Sequence, residues 1–142
     1  MKRAGFTMIE LIFVIVILGI LSAVALPKFI GVSEQAQAGK CKAFVGTLNR
    51  TVLPALWSNM VLNNETAAVA FTAATIGAQI EAPLECRKTG VASTATQATI
   101  LADYATAANA GTSFTVTVGG QAYDVNATAA TISVSPIIGW KK

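Results

Sequence analysis

The 142-residue chain contains no histidine, and charged side chains make up only 12% of it. Losing histidine removes the commonest general base and the commonest metal ligand together. It rules out a Ser-His-Asp triad, and no G-x-x-x-x-G-K-[ST] run is present to cradle a phosphate. Acids are scarce as well. After Glu10 they are only Glu34, Glu65, Glu81, Glu85, Asp103 and Asp124. Glu81 and Glu85 are the closest pair, but Pro83 between them predicts a loop and two solvated carboxylates. Asp124 is the only acid after Asp103, whereas calcium takes several oxygen ligands. Two cysteines without histidine make a poor zinc site. No catalytic residue, metal or cofactor is therefore expected. Arg87-Lys88 and Lys141-Lys142 are too few cations to argue for a phosphate backbone as partner, so nucleic acid is not indicated.

What the chain does have is a long apolar run near its start. Phe6 to Leu26 contains one charge, Glu10. As a helix the run spans about 31 Å, matching a hydrocarbon core of about 30 Å. A carboxylate at the centre of such a helix costs roughly 2.5–3.5 kcal/mol on insertion scales, and less near an end. The run offers no cation to offset that cost, so a neighbouring chain or a newly made N-terminus must bring one. Lys2 and Arg3 precede the run and are expected to hold the uncut end on the cytoplasmic side.

G-F-T-M-I-E-L at Gly5–Leu11, followed by an apolar helix ending A-L-P-K-F at Ala25–Phe29, resembles the N-terminal signal of type IV prepilins and type II secretion pseudopilins. The resemblance covers residues 1–30 and fades beyond them. It implies cleavage after Gly5 by a prepilin peptidase and N-methylation of the new first residue, Phe6. It also implies that Glu10 pairs with the terminal amine of an adjacent subunit during assembly. Two plainer readings stand beside it: a signal anchor with a stray Glu10, and a secretory signal cut near Ala23-Val24-Ala25.

Elementary chemistry fits the resemblance. A free α-amine is cationic at neutral pH, and a cut after Gly5 creates one in the same apolar layer as Glu10. Glycine at the cut leaves the backbone open to a protease. Removing Lys2 and Arg3 from the 10 cations leaves 8 against 7 acids, a side-chain balance of +1. The basic isoelectric point of the whole chain therefore carries no message about partners.

The expected fold is α+β and pilin-like. A long N-terminal helix, half in the membrane and half amphipathic, packs on a small C-terminal antiparallel β-sheet. Residues 1–5 are the leader and 6–26 the transmembrane and assembly helix. Gly19 and Ser22 are small positions where helices can approach closely, or ordinary membrane-helix composition. Pro27 is expected to kink or loosen the helix; the resemblance implies a place where order is lost on assembly. Residues 27–62 form the amphipathic half. Cys41, Phe44, Val45, Leu48, Val52, Leu56 and Met60 recur at steps of mostly three and four, a stripe able to cover a small head. Pro54 predicts a kink or early end there.

Residues 63–142 form the head. Asn63-Asn64 stops the helix, and a short helix is expected within Glu65–Gln79. Thr94-x-x-Gln97 reads as a capping box for a helix closed by Gly111. Ser113–Val118, the Gly119-Gly120 turn and Gln121–Val125 read as a hairpin. A third strand is expected at Thr131–Val134, ended by Pro136, giving a sheet over about 113–135. Trp140 is expected to pack on the sheet or the rim of the head. Asp124-Val125-Asn126-Ala127-Thr128 contains N-x-T and resembles the longer acidic acceptor sequence used by some bacteria, although abundant threonine makes chance matches common.

The resemblance places everything after the membrane helix outside the cytoplasm, where disulfides persist. A Cys41–Cys86 bond is then expected; two buried thiols or a link between subunits are the alternatives. The function implied is that of a filament subunit of a pilus or pseudopilus, not an enzyme. Its partners would be other copies of itself, minor pilins, the prepilin peptidase and the inner-membrane assembly platform. It would pass once through the inner membrane before joining a periplasmic or cell-surface filament. The alternative is a membrane-anchored pseudopilin or minor tip subunit acting as an interaction module in secretion or DNA uptake.

Overall fold

The computed structural model describes residues 5–142. Most of the expected leader, Met1 to Ala4, lies outside the described residues. The chain divides into two compact units, residues 1–35 and 36–142.

In the first unit the backbone becomes helical at Met8, the start of α1 (Met8–Thr47). Thr7 begins it: the Glu10 N–H donates to the Thr7 carbonyl and faces the Thr7 hydroxyl at 3.3 Å. Apolar side chains are exposed along the segment, from Phe13 and Ile15 to Leu21 and Leu26. Ser22 returns its hydroxyl to the Leu18 carbonyl at 2.7 Å, which hides its polarity within the helix. Pro27 lies inside α1. Among the described residues this is the one helix long and apolar enough to cross a membrane.

In the second unit the apolar stripe is buried as the spacing predicts. Cys41, Phe44, Val45, Leu48, Val52, Leu56 and Met60 all lie in the core, together with Leu53. The helix does not end at Pro54, contrary to one of the two outcomes expected there. It passes through a π-helical turn at Leu48–Val52 and continues as α2 (Leu53–Asn63). Pro54 has no N–H to donate and would press on a carbonyl four residues back in a tight helix. The wider turn just upstream moves the bonding to five residues, the Leu53 N–H reaching the Leu48 carbonyl. Proline then falls in the first turn of α2, where no donor is needed. Asn64, left-handed with φ 53°, closes α2, and the Glu65 N–H bonds back to the Met60 carbonyl at 2.9 Å.

The expected helix within 65–79 is two separate turns, α3 (Ala67–Ala70) and α4 (Ala73–Gly77). Thr72 and Thr75 cap α4 reciprocally, so threonine supplies both the break and the restart. After Pro83 a 3₁₀ turn, Leu84–Cys86, brings Cys86 into the core. Helix α5 spans Gln97–Ala110, and its cap is Thr96 rather than Thr94. In Thr94-Ala95-Thr96-Gln97-Ala98-Thr99 either threonine can cap. Thr96 prevails because its hydroxyl accepts the Thr99 N–H at 3.4 Å. The Gln97 side chain instead accepts the Ala82 N–H. Gly111 ends α5 at φ +66°, and a Cβ there would meet the Ala129 backbone nitrogen at 3.0 Å. Both the angle and the crowding require glycine.

The sheet is a three-stranded antiparallel meander in the order β1-β2-β3. β1 (Phe114–Val118) and β2 (Gln121–Thr128) flank the Gly119-Gly120 turn in the expected register, Phe114 opposite Val125. The third strand is misplaced in the sequence reading. β3 is Ile137–Lys141, so the sheet runs to residue 141 rather than 135. Thr131 and Val134 bond to each other across a tight turn, the Val134 N–H also reaching the Thr131 hydroxyl. Pro136 precedes the strand instead of ending it and is itself fully buried. Phe114, Val116, Val118, Val125 and Ile138 face inward against α5 and the amphipathic part of the long helix.

Candidate functional site

The Gly5–Phe6 bond lies in non-helical backbone just ahead of α1. A Cβ built on Gly5 meets nothing within 4 Å, so this stretch is open to another protein. Phe6 is exposed, as are Met8 and Ile9. Glu10 stands in the first turn of α1 and is exposed among these apolar neighbours. A carboxylate there lies near the positive end of the helix dipole. Thr7-x-x-Glu10 has the sequence of a capping box. That signal is present in the sequence but is masked there, because Glu10 stands out first as a charge in an apolar run. The Glu10 backbone N–H takes part in the local start of the helix, while its carboxylate stands exposed.

The head is fastened by contacts between distant segments. Cys41 and Cys86 form a disulfide with Cα atoms 5.4 Å apart, tying the 3₁₀ turn to the long helix. Beside it Lys40 Nζ stands 3.5 Å from Glu85 Oε1; this exposed pair adds little. Glu81 is exposed in the loop before Pro83, so the two carboxylates do not share a helix face. The Tyr104 hydroxyl donates to the Cys86 carbonyl at 3.2 Å. Its ring meets Phe44 and Phe114 edge-on, at centroid distances of 5.1 and 5.0 Å. Burial pushes the Tyr104 phenol far above its ordinary range, with the Asp103 carboxylate adding to the effect. Partial burial raises Asp103 as well, and Lys88 draws it back in part.

Asn49 belongs by sequence to the polar side of the helix, yet it is a fastening. Its Nδ2 donates to the Ile138 carbonyl at 2.6 Å, and its Oδ1 accepts the Ile138 N–H at 2.8 Å. A side-chain amide carries the same donor and acceptor as a backbone peptide, so Asn49 bonds β3 as a neighbouring strand would. No sequence signal marks it, because the partner is a backbone group 89 residues away. The Trp57 indole donates to the Thr131 carbonyl at 2.8 Å and holds the turn before β3. Trp140 stacks on Tyr123 at a centroid distance of 5.0 Å, so it packs on the sheet.

The remaining polar candidates are not brought together. Lys88 bridges to Val116 on the outer side of β1, while Lys141 ends β3 on the other side of β2. Asp124 is exposed on β2 and accepts from the Thr115 hydroxyl at 3.3 Å. Among the described residues no three His, Cys, Asp or Glu side chains gather as a metal site would require.

Residues 1–26 match the family model described as the prokaryotic N-terminal methylation motif. A type IV narrow pilus major component, PilA5 of Thermus thermophilus, is 49% identical over 43 residues. Those residues are 30% of this chain and 37% of that protein, so the chain spans little more than a third of the relative's length. No solved structure matches. The likeness thus rests on a prepilin-type motif in residues 1–26 and on 43 residues shared with a type IV pilin.

Proposed function

We propose that this chain is a structural subunit of a type IV pilus or pseudopilus filament. Proteins of the pilin family are structural subunits, not enzymes. In this reading a prepilin peptidase cuts after Gly5 and methylates Phe6, and the chain polymerises through its N-terminal helix. The observation that carries it is the methylation motif lying on an exposed apolar helix that holds one carboxylate. Before assembly the helix anchors the chain once in the inner membrane. During assembly Glu10 meets the α-amine of an adjacent copy. An unpaired charge in that layer is costly, so pairing fixes the register between subunits. Pro27 supplies a place where the helix can yield. The partners are further copies, minor pilins, the peptidase and the assembly platform.

A surface pilus is favoured over a pseudopilus by the pilus protein among the relatives. The alternative is a processed subunit acting singly or at a filament tip in secretion or DNA uptake. Intact mass spectrometry of sheared surface material and of the cell envelope separates these readings. A species beginning at methylated Phe6 in the sheared fraction is expected. The same species confined to the envelope would favour the pseudopilin or tip subunit. A chain still beginning at Met1 in both fractions would overturn the proposal.

A further inference from the structure

The chain contains three N-x-[ST] sequences, at Asn49, Asn64 and Asn126, and the structure distinguishes them sharply. Glycosyl transfer to asparagine needs a free side-chain nitrogen and a segment that can leave its folded bonds to enter another enzyme's site. At Asn49 the amide nitrogen is held by the Ile138 carbonyl, and the residue lies within a helical turn. Asn126 is exposed but sits on β2, the middle strand, paired with Gly139 of β3. Releasing it means opening the sheet.

Asn64 differs on each count. Asn64, Glu65 and Thr66 are all exposed and lie in the turn between α2 and α3. The bonds there are made by backbone groups at a helix end, where opening costs least. Thr66 leads α3 in an extended conformation, and its hydroxyl makes no cap bond. The acceptor nitrogen and the hydroxyl two residues on are thus both presented at the surface, as an acceptor sequence in a secreted protein requires.

We infer that Asn64 is an N-glycosylation site, with Asn49 and Asn126 left unmodified. The donor class is a lipid-linked diphosphate oligosaccharide. The Asn64 amide nitrogen attacks the anomeric carbon and a C–N bond forms. The anomeric C–O bond to the diphosphate breaks, the amide gives up one proton, and the lipid diphosphate leaves. The inference rests on the proposed function in one respect, that the head lies outside the cytoplasm.

Trypsin places the three sequences on separate peptides, Ala43–Arg50, Thr51–Arg87 and Thr89–Lys141, and the mature N-terminus on Phe6–Lys28. The test is peptide mass spectrometry of the reduced protein from the envelope of its own host. Expected is a sugar mass increment on Thr51–Arg87 alone, with sugar fragment ions. Asn64→Gln and Thr66→Ala should each abolish it and Thr66→Ser should retain it; both positions are exposed, and the Thr66 hydroxyl makes no cap bond. A bare Thr51–Arg87 peptide, or an increment that survives Thr66→Ala, overturns the inference. A bare peptide beside methylated Phe6 overturns it while leaving the proposed function standing.

Discussion

At the scale of single residues, two side chains hold the head through backbone groups they could not have been seen to reach. Asn49→Ala removes both bonds to Ile138 and leaves a partly buried N–H and carbonyl without partners. A loss of about 2 kcal/mol is expected, read as a lower midpoint in denaturant. Amide exchange at Ile138 should quicken; unchanged exchange there would show that the bonds are idle. Tyr104→Phe leaves the Cys86 carbonyl unpaired in the core, at a cost of about 1–2 kcal/mol. Tyr104 also carries a pH signature. Its phenol titrates higher folded than unfolded, so the folded state keeps a proton that the unfolded chain releases near its ordinary pKa. The stability it contributes is full below that pH and is lost as pH rises above it. The wild-type melting temperature should therefore fall more steeply than that of Tyr104→Phe as pH rises above about 10. Parallel curves would contradict this.

Among the elements, the disulfide and the turns decide how the head closes. The Cys41–Cys86 bond spans a sequence separation of 45 residues, worth about 4 kcal/mol in the chain-entropy treatment. Reduction, or the pair Cys41→Ser with Cys86→Ser, should lower the unfolding midpoint by a large part of that amount. An unchanged midpoint would mean that the core alone fixes the 3₁₀ turn. The buried helical stripe and the first hairpin are legible because each is periodic and local: seven apolar positions at helical spacing, and two strands either side of Gly119-Gly120. The disulfide is legible through an inferred compartment rather than through geometry. The third strand is not. Thr131–Val134 has the composition of a strand, but its backbone groups bond to each other, and Pro136 begins the next element where its position suggests an end. Pro54 misleads for a related reason: its cost depends on the width of the turn before it, which composition does not reveal. At the candidate site Gly5, Phe6 and Glu10 stand out by motif. The Thr7 cap is equally visible, yet the charge overshadows it.

For the molecule as a whole, the proposed function makes Glu10 an assembly residue rather than a folding one. Glu10→Ala should still be cut and inserted, since neither step needs the carboxylate, yet filament yield from sheared cells should collapse. Normal yield would sink the register mechanism. A bulky residue at Gly5 should leave the chain uncut on an immunoblot of the envelope; a mature band would place the cut elsewhere. The fastening at Asn49 has a bearing on crowding. A chain confined to a bilayer meets copies of itself far more often than one free in solution, and its head is carried into every encounter. Sheets whose outer strands are bare join on such encounters, strand to strand. Here the β3 rim is occupied at Ile138 by a helix side chain, and the β1 rim is occupied by Lys88 and Thr89, whose N–H reaches the Thr115 carbonyl at 2.7 Å. Under the proposed function, heads so finished would lie side by side in the membrane plane without joining strand to strand.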